Sequence, residues 1–363
     1  MQEKSKLRIH VIGGARPNFI KIAPLLNLLD KNKKFATKFI NTGQHHNFRL
    51  YNKILKDLGM RSPDVDLSVG SSSGITQFSK IIYRYEKYLK KNIPDLVIVF
   101  GDVNSTLATA LTAKKMGIKI AHVEAGLRCY DDCLPEEINR RLTDSVSDYY
   151  FIPTKDEEKK LRNENIKKNI FFVGNIMIDS LKIILENNQN YKMKNQKFGL
   201  ITFHRPENVD YKLQFSKIIG KIKEISNKEN LIFPIHPRTK KSLRKLNLYK
   251  NLSSIKNIKL CESFGYLKFL MYLKNSDFVV TDSGGVQEES TFLGIPCFTL
   301  RKNTERPITI SKGTNCLVSL SNLVNRIETR VKKKVKIDKW DGKTAHRIIK
   351  ILEEIHKCDF QKN

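Results

Sequence analysis

The sequence predicts a two-domain α/β protein in which each domain is a doubly wound parallel sheet. Three observations carry this expectation: the length, the alternation of short apolar runs with amphipathic stretches, and the restart of that alternation after a polar break. At 363 residues with 40% hydrophobic content, the chain exceeds the roughly 250–300 residues at which a single core stops growing.

In order, the apolar runs are LRIHVIGG, FATKFINTG, DLVIVFGD, IKIAHVEAG, YYFIPT and NIFFVGN. Each is followed by a stretch with helical character, so they read as successive βα units on one parallel sheet. Between Leu181 and Lys197 a helix gives way to NNQNYKMKNQK, which has little to bury. The first domain is therefore placed at residues 1–182. The alternation restarts with FGLITFH, NLIFPIH, NIKLCE, DFVVTDSGG and IPCFTLR, which defines a second doubly wound unit over residues 183–342. In the last segment, 343–363, Ala345, Ile348, Ile349, Leu352 and Ile355 form a helical stripe that must pack on another surface.

Composition removes several classes of function. The opening MQEKSKLRIHVIGG runs into a strand pattern without the apolar region of a signal peptide, and no later segment has the length of a membrane span. A cytoplasmic protein with no membrane partner is expected. Six cysteines, at 129, 133, 261, 297, 316 and 358, sit in a chain with a large core, so disulfides are not expected. Cys129 and Cys133 have no second cysteine or histidine pair behind them, and no metal site is expected from them. The net charge of +29, from 66 Lys and Arg against 37 Asp and Glu, would suit a binder of nucleic acid or of phosphates. The lysines are scattered, with only short clusters such as Lys332 to Lys334, and no basic stripe alternates with aromatics. They read as a solvated surface, with no nucleic-acid partner.

In open α/β sheets ligands bind outside the carboxyl ends of the strands, so the residues just after each strand are the candidates. After the first strand, GGARPNFIK offers Gly13 and Gly14 for a tight turn and Pro17 for a helix start, although Pro24 removes a helical hydrogen bond. Arg16 and Lys21 near that helix start oppose the helix dipole unless an anion is bound; otherwise they are surface cations. Asp102 ends DLVIVFGD, with Asn104 or Ser105 as cap of a helix running to Gly117, and Glu124 ends IKIAHVE, with Arg128 four residues on. One such carboxylate is a cap as readily as a catalyst. Two at neighbouring strand ends suit an acid–base pair. PEEINRRLTD starts a helix on which Glu136 with Arg140, and Glu137 with Arg141, are spaced for ion pairs. Ile138, Leu142 and Val146 mark its expected buried stripe, with Glu136 and Arg140 beside it.

In the second half, His204 and His236 stand at strand ends, and His204 followed by Arg205 is a candidate general acid or base. Asp282, Ser283, Gly284 and Gly285 make a small-residue turn from strand into helix, where backbone N–H groups and the Ser283 hydroxyl can approach a pyrophosphate. Glu288 and Glu289 then fall where ribose hydroxyls would lie, one of them alternatively a helix N-terminal charge. Arg301 and Arg306 return to the same edge, where they would neutralise phosphate.

With these residues assembled, the chain resembles the non-hydrolysing UDP-N-acetylglucosamine 2-epimerase family over nearly its whole length. The matching stretches, in the family's order, are GGARPNFIKIAPLL, TGQHH, GDVNSTLA, HVEAGLR, PEEINRRLTD, VGNIMIDSL, HRPEN, DSGGVQEE and GIPCFTLRKNTERP. The resemblance implies two Rossmann-like domains of the GT-B glycosyltransferase/epimerase architecture, an active site in the interdomain cleft, and a last helix that crosses back to the first domain. It implies that UDP is eliminated anti to the C2 proton to give a 2-acetamidoglucal and is then added back. Under it, Asp102, Glu124 and Glu136 look like the proton-transfer carboxylates, His204 like the group assisting departure of UDP, and Lys21 and Arg140 like active-site cations. Arg16, Phe269, Ser283, Gly284, Gly285, Glu289 and Arg306 look like the UDP-binding set. The implied partner is a UDP-sugar, with no metal or nicotinamide cofactor, and a homodimer is expected in a pathway of polysaccharide or cell-envelope synthesis.

One departure from the family is informative. Many bacterial members bind a second UDP-N-acetylglucosamine as activator through a QHR[QE]M stretch and a downstream Arg-Gln pair. Here the stretches read QHHNF, Gln44 to Phe48, and SVGSSSGIT, so activation is not expected. Members acting on modified sugars, of the diacetamido uronic acid or N-acetyl fucosamine type, resemble the chain more closely at HRPEN and HPRT. That leaves a modified-sugar epimerase as the alternative, ahead of a GT-B glycosyltransferase or a hydrolysing epimerase.

Overall fold

The computed structural model describes residues 6–43, 55–70, 72–191, 193 and 196–359, with Arg16 and Asp359 as backbone only. By their contacts these residues divide into two compact units: Met1–Glu186 together with Asp338–Asn363, and Asn187–Ile337.

The first unit is built on a seven-stranded parallel sheet in the order β3-β2-β1-β4-β5-β6-β7. Its strands are β1 (Leu7–Gly13), β2 (Phe35–Asn41), β3 (Val65–Asp66), β4 (Leu96–Phe100), β5 (Lys119–Val123), β6 (Tyr149–Ile152) and β7 (Ile170–Phe172). All five residues of β4 are buried, as a central strand covered by helices on both faces requires. The strand order reverses between β1 and β4, so their carboxyl ends, with that of β5 beside them, form a topological switch point.

The second unit repeats the plan with six parallel strands in the order β10-β9-β8-β11-β12-β13. They are β8 (Gly199–Thr202), β9 (Leu231–Ile235), β10 (Ile258–Glu262), β11 (Phe278–Thr281), β12 (Cys297–Thr299) and β13 (Asn315–Leu317). Phe203, Phe215, Phe233, Phe278 and Phe298 centre its largest apolar cluster. Its reversal lies between β8 and β11.

The helix Thr344–Asp359 belongs to the first unit although it follows the second in sequence. Ala345, Ile348, Leu352 and Ile355 are buried, and the helix packs on the helix Arg16–Lys31, which continues through Pro24. The buried Asp179 carboxylate accepts hydrogen bonds from the Thr344 and Ala345 N–H groups at 3.1 and 2.8 Å, satisfying donors the helix leaves open. No helix among the described residues is long and apolar enough to cross a membrane.

Candidate active site

At the carboxyl end of β1, Gly14 brings two hydroxyls together: Thr42 Oγ1 and Ser105 Oγ lie 2.7 Å apart. A Cβ at Gly14 would sit 2.0 Å from the Ser105 hydroxyl and 2.4 Å from that of Thr42. Asn18 locks the start of the following helix, accepting from the Ala15 N–H at 3.1 Å and donating to the Phe100 carbonyl at 2.9 Å. The expected cap for the next helix is not found. Val103 occupies the N-cap position of Asn104–Lys115 with no side-chain bond, because Ser105 is committed to Thr42.

Asp102 and Glu124, at the ends of adjacent β4 and β5, are each held by a cation. Arg140 donates to Asp102 Oδ2 from Nη2 at 2.6 Å and from Nε at 3.0 Å, and Asn139 Nδ2 donates to the Asp102 carbonyl at 2.9 Å. Lys21 forms a buried ion pair with Glu124. Glu124 adopts φ 72°, a left-handed conformation that a non-glycine residue keeps only where its surroundings impose it. Gly101, at φ 63°, lies directly beneath the pair: a Cβ there would meet Lys21 Nζ at 2.9 Å and Glu124 Oε2 at 3.2 Å.

The helix Pro135–Val146 differs from the sequence expectation in which face it buries. Ile138 and Leu142 are 46% and 47% exposed, whereas Glu137, Asn139, Arg140, Thr143 and Asp144 are buried. Ion pairing explains the reversal, since a buried charge is tolerated when it is matched and hydrogen-bonded. Arg140 Nη1 lies 2.6 Å from Glu137 Oε2, and Glu137 also accepts from the Cys129 and Tyr130 N–H groups at 3.1 and 3.0 Å. Arg141 pairs with Asp132 at 2.9 Å rather than with Glu137. Burial alone would raise the Glu137 carboxyl, but these N–H donors and Arg140 hold it below its ordinary 4.5. Glu136, half-buried, lies on the same first turn.

In the second unit, His204 at the end of β8 faces Asp282 at the end of neighbouring β11, with Nδ1 3.1 Å from Oδ1. Asp282 is fully buried and also accepts from the Arg205 N–H at 3.0 Å and from Asn208 Nδ2 at 3.1 Å. Against the effect of burial, these partners, His204 first, hold its carboxyl below the ordinary range. The His236 ring lies 5.5 Å from that of His204, between centroids. Ser283, half-buried, is the N-cap of the ten-residue helix Gly284–Leu293, so Gly284 and Gly285 open a helix whose first N–H groups have no intrahelical acceptor. Arg301 and Arg306 return to this edge already compensated. Arg306 Nε lies 2.9 Å from Glu288, Arg301 lies 2.9 Å from Glu305, and Glu305 also pairs with Arg306. Glu289 is buried. Phe269 is partly buried and packs against the cluster that contains Leu200, Leu273, Val279 and Val286.

Within each unit, then, the switch point gathers candidates from that unit: Lys21, Asp102, Glu124 and Arg140 in the first, with Glu136 on the helix that carries Arg140, and His204, Ser283, Gly284, Gly285 and Arg306 in the second. The Arg16 side chain lies outside the described residues, as do Gln44 to Phe48 and Ser71 of the activator stretches. The sequence does not announce the anchoring roles of Glu137 and Asp282. A spacing of i,i+3 between Glu137 and Arg140 was the available signal for the first; none existed for the second, whose partner is 78 residues away.

The family model of UDP-N-acetylglucosamine 2-epimerase matches residues 27–353. The chain belongs to this family. The UDP-N-acetylglucosamine 2-epimerase of Methanocaldococcus jannaschii is 42% identical, over 95% of this chain and 99% of that protein. The UDP-2,3-diacetamido-2,3-dideoxy-D-glucuronate 2-epimerase of Pseudomonas aeruginosa is 34% identical, over 96% and 100%. A crystal structure of the M. jannaschii enzyme in complex with UDP-GlcNAc and UDP superposes with a TM-score of 0.90 at 40% identity, covering 96% of this chain and all of that one. The two parallel sheets are thus the two Rossmann-like domains of a GT-B-like epimerase.

Proposed function

We propose that this chain interconverts UDP-N-acetylglucosamine and UDP-N-acetylmannosamine without hydrolysis, by eliminating UDP and adding it back through a 2-acetamidoglucal. The supporting observation is the pair of carboxylates at the ends of β4 and β5, each fixed by its own cation, Asp102 by Arg140 and Glu124 by Lys21. A base takes the C2 proton while the bond from C1 to the phosphate oxygen breaks. A proton is then delivered to the opposite face of C2 and the diphosphate oxygen returns to C1. Asp102, Glu124 and Glu136 carry the proton transfers, and carboxylates pinned in place spare the reaction the cost of reorienting them. His204, oriented by Asp282, assists the departing diphosphate, which the helix start at Ser283, Gly284 and Gly285 receives. Arg16 and Arg306 complete the phosphate contacts, Glu289 the ribose contact, and Phe269 flanks the uracil.

Proton NMR of UDP-N-acetylglucosamine incubated with the enzyme in D2O tests this reading. The expected result is the manno epimer carrying deuterium at C2. Epimer formed without deuterium would overturn the elimination mechanism. The similarity to the P. aeruginosa enzyme supports a second reading, a substrate with further substituents at C3 and C6. Turnover of UDP-2,3-diacetamido-2,3-dideoxyglucuronate, with UDP-N-acetylglucosamine inert, would select it.

We also infer a cytoplasmic homodimer. The support for the dimer is the exposure of Ile138 (46%) and Leu142 (47%) on one helix face, an apolar surface that a second copy would cover. Sedimentation should give a dimer for the wild type and a monomer for Leu142→Asp; a wild-type monomer at micromolar concentration would exclude it.

A further inference from the structure

His122, on β5 two residues before Glu124, is fully buried, and both of its ring nitrogens face oxygen. Nε2 lies 2.9 Å from the Gly101 carbonyl and Nδ1 lies 2.6 Å from Asp144 Oδ1. A carbonyl only accepts, so Nε2 carries a proton. The other Asp144 oxygen accepts from the Gly126 N–H at 3.0 Å and from Arg128 Nη2 at 2.8 Å, and this buried guanidinium keeps the carboxylate ionised. Nδ1 therefore carries a proton as well. The charges close: buried His122 and Arg128 are balanced by buried Asp144 and by partly exposed Glu164, which receives Arg128 at 2.6 Å. Burial would raise the Asp144 carboxyl, yet His122 and Arg128 hold it below its ordinary 3.8. Tyr150 donates its hydroxyl to the Asp144 carbonyl at 3.0 Å, and the Lys21–Glu124 pair lies against Gly101.

The location of this network gives it a purpose. Gly101 is the floor under Lys21 and Glu124 and immediately precedes Asp102; Gly126 ends the strained turn that Glu124 begins. Asp144 belongs to the helix that carries Glu136 and Arg140. One carboxylate and one imidazole thus connect the three backbone segments that bear the acid–base residues.

We propose that His122 carries a proton on each ring nitrogen in this network and that His122 and Asp144 are positioning residues, clamping the Gly101 and Gly126 turns so that Asp102, Glu124 and Glu136 stay in register. The catalytic part of this inference rests on the epimerase reading above; the charge state does not. Neutron crystallography of the wild-type protein at neutral pH reads the charge state directly. Deuterons on both ring nitrogens of His122 are expected, and a bare Nδ1 or Nε2 would overturn the proposal.

Two variants test the positioning role. Glutamine at 122 can still reach the Gly101 carbonyl with its amide, whereas asparagine can reach only toward Asp144. His122→Gln should lose about tenfold in kcat and His122→Asn about a hundredfold, the scale of a misplaced catalytic group, with KM and UDP affinity unchanged in both. Equal losses in the two, or losses confined to KM, would defeat the positioning role. If neither variant folds, the neutron result still decides the protonation of His122. A wild type that neither epimerises any UDP-sugar nor exchanges its C2 proton defeats the functional reading instead, and leaves the charge assignment standing.

Discussion

Arg140 contacts a single oxygen of Asp102 through two nitrogens, Nη2 at 2.6 Å and Nε at 3.0 Å, while its third nitrogen holds Glu137 at 2.6 Å. A lysine offers the same charge but one point of attachment, so it cannot span both carboxylates. Arg140→Lys should lower kcat by roughly 10- to 100-fold, within the usual range for a disturbed acid–base group. Steady-state rates at saturating substrate check this, and a wild-type kcat would show that the fork is dispensable.

Each proposed carboxylate should be individually necessary. Asp102→Asn, Glu124→Gln and Glu136→Gln should each lose ~10²-fold or more in kcat. Initial rates of epimerisation test all three, and wild-type speed in any one removes that residue from the catalytic set.

Glu137 should support the fold rather than the chemistry. Its carboxyl is held below its ordinary 4.5, so its stabilisation is fully present above that pH and is lost as pH falls through the lowered native value. Glu137→Gln breaks a buried pair and should cost about 3 kcal/mol at neutral pH. The gap in Tm between variant and wild type should narrow below pH 4.5; a constant gap down to the acid transition contradicts the assignment.

Gly14→Ala would force its methyl into the Ser105 and Thr42 hydroxyls. Overpacking of this kind costs about 1–3 kcal/mol. Thermal denaturation should show a lowered Tm, and an unchanged Tm would mean that the Thr42–Ser105 contact yields freely.

The sequence reading that this chain lacks an activator site predicts simple kinetics. Ser72, Ser73 and Gly74 provide short hydroxyls and a glycine where an effector diphosphate needs fixed donors; Ser73 Oγ is also engaged with Thr76 at 2.9 Å. Substrate curves should be hyperbolic, and UDP-N-acetylmannosamine should be converted without added UDP-N-acetylglucosamine. A Hill coefficient well above one would show that activation persists.

What the sequence disclosed and what it concealed divide along a physical line. Runs such as LVIVF disclose themselves because a strand buried on both faces has no polar residues to interrupt it, and Asp102 and Glu124 follow because the switch-point rule names the positions after such strands. The two-residue β3 gives no signal, being too short for any period. The buried face of the helix Pro135–Val146 departs from its apolar stripe because apolar spacing tracks burial only where the core is apolar, and here salt bridges fill it. The partnership of Asp282 with His204 joins residues on neighbouring strands far apart in sequence, and only the sheet order brings them together.

The closing helix Thr344–Asp359, capped by Asp179, carries a consequence for biogenesis. The first unit to leave the ribosome lacks the segment that covers its helix Arg16–Lys31, and must wait until the entire second unit has been translated. At roughly 5–20 residues per second that interval is on the order of ten seconds or more. Throughout it the nascent chain exposes the apolar groove destined for Ile348 and Leu352. The second unit, contiguous from Asn187 to Ile337, is free to finish first, so the order of completion on the ribosome reverses the order of synthesis.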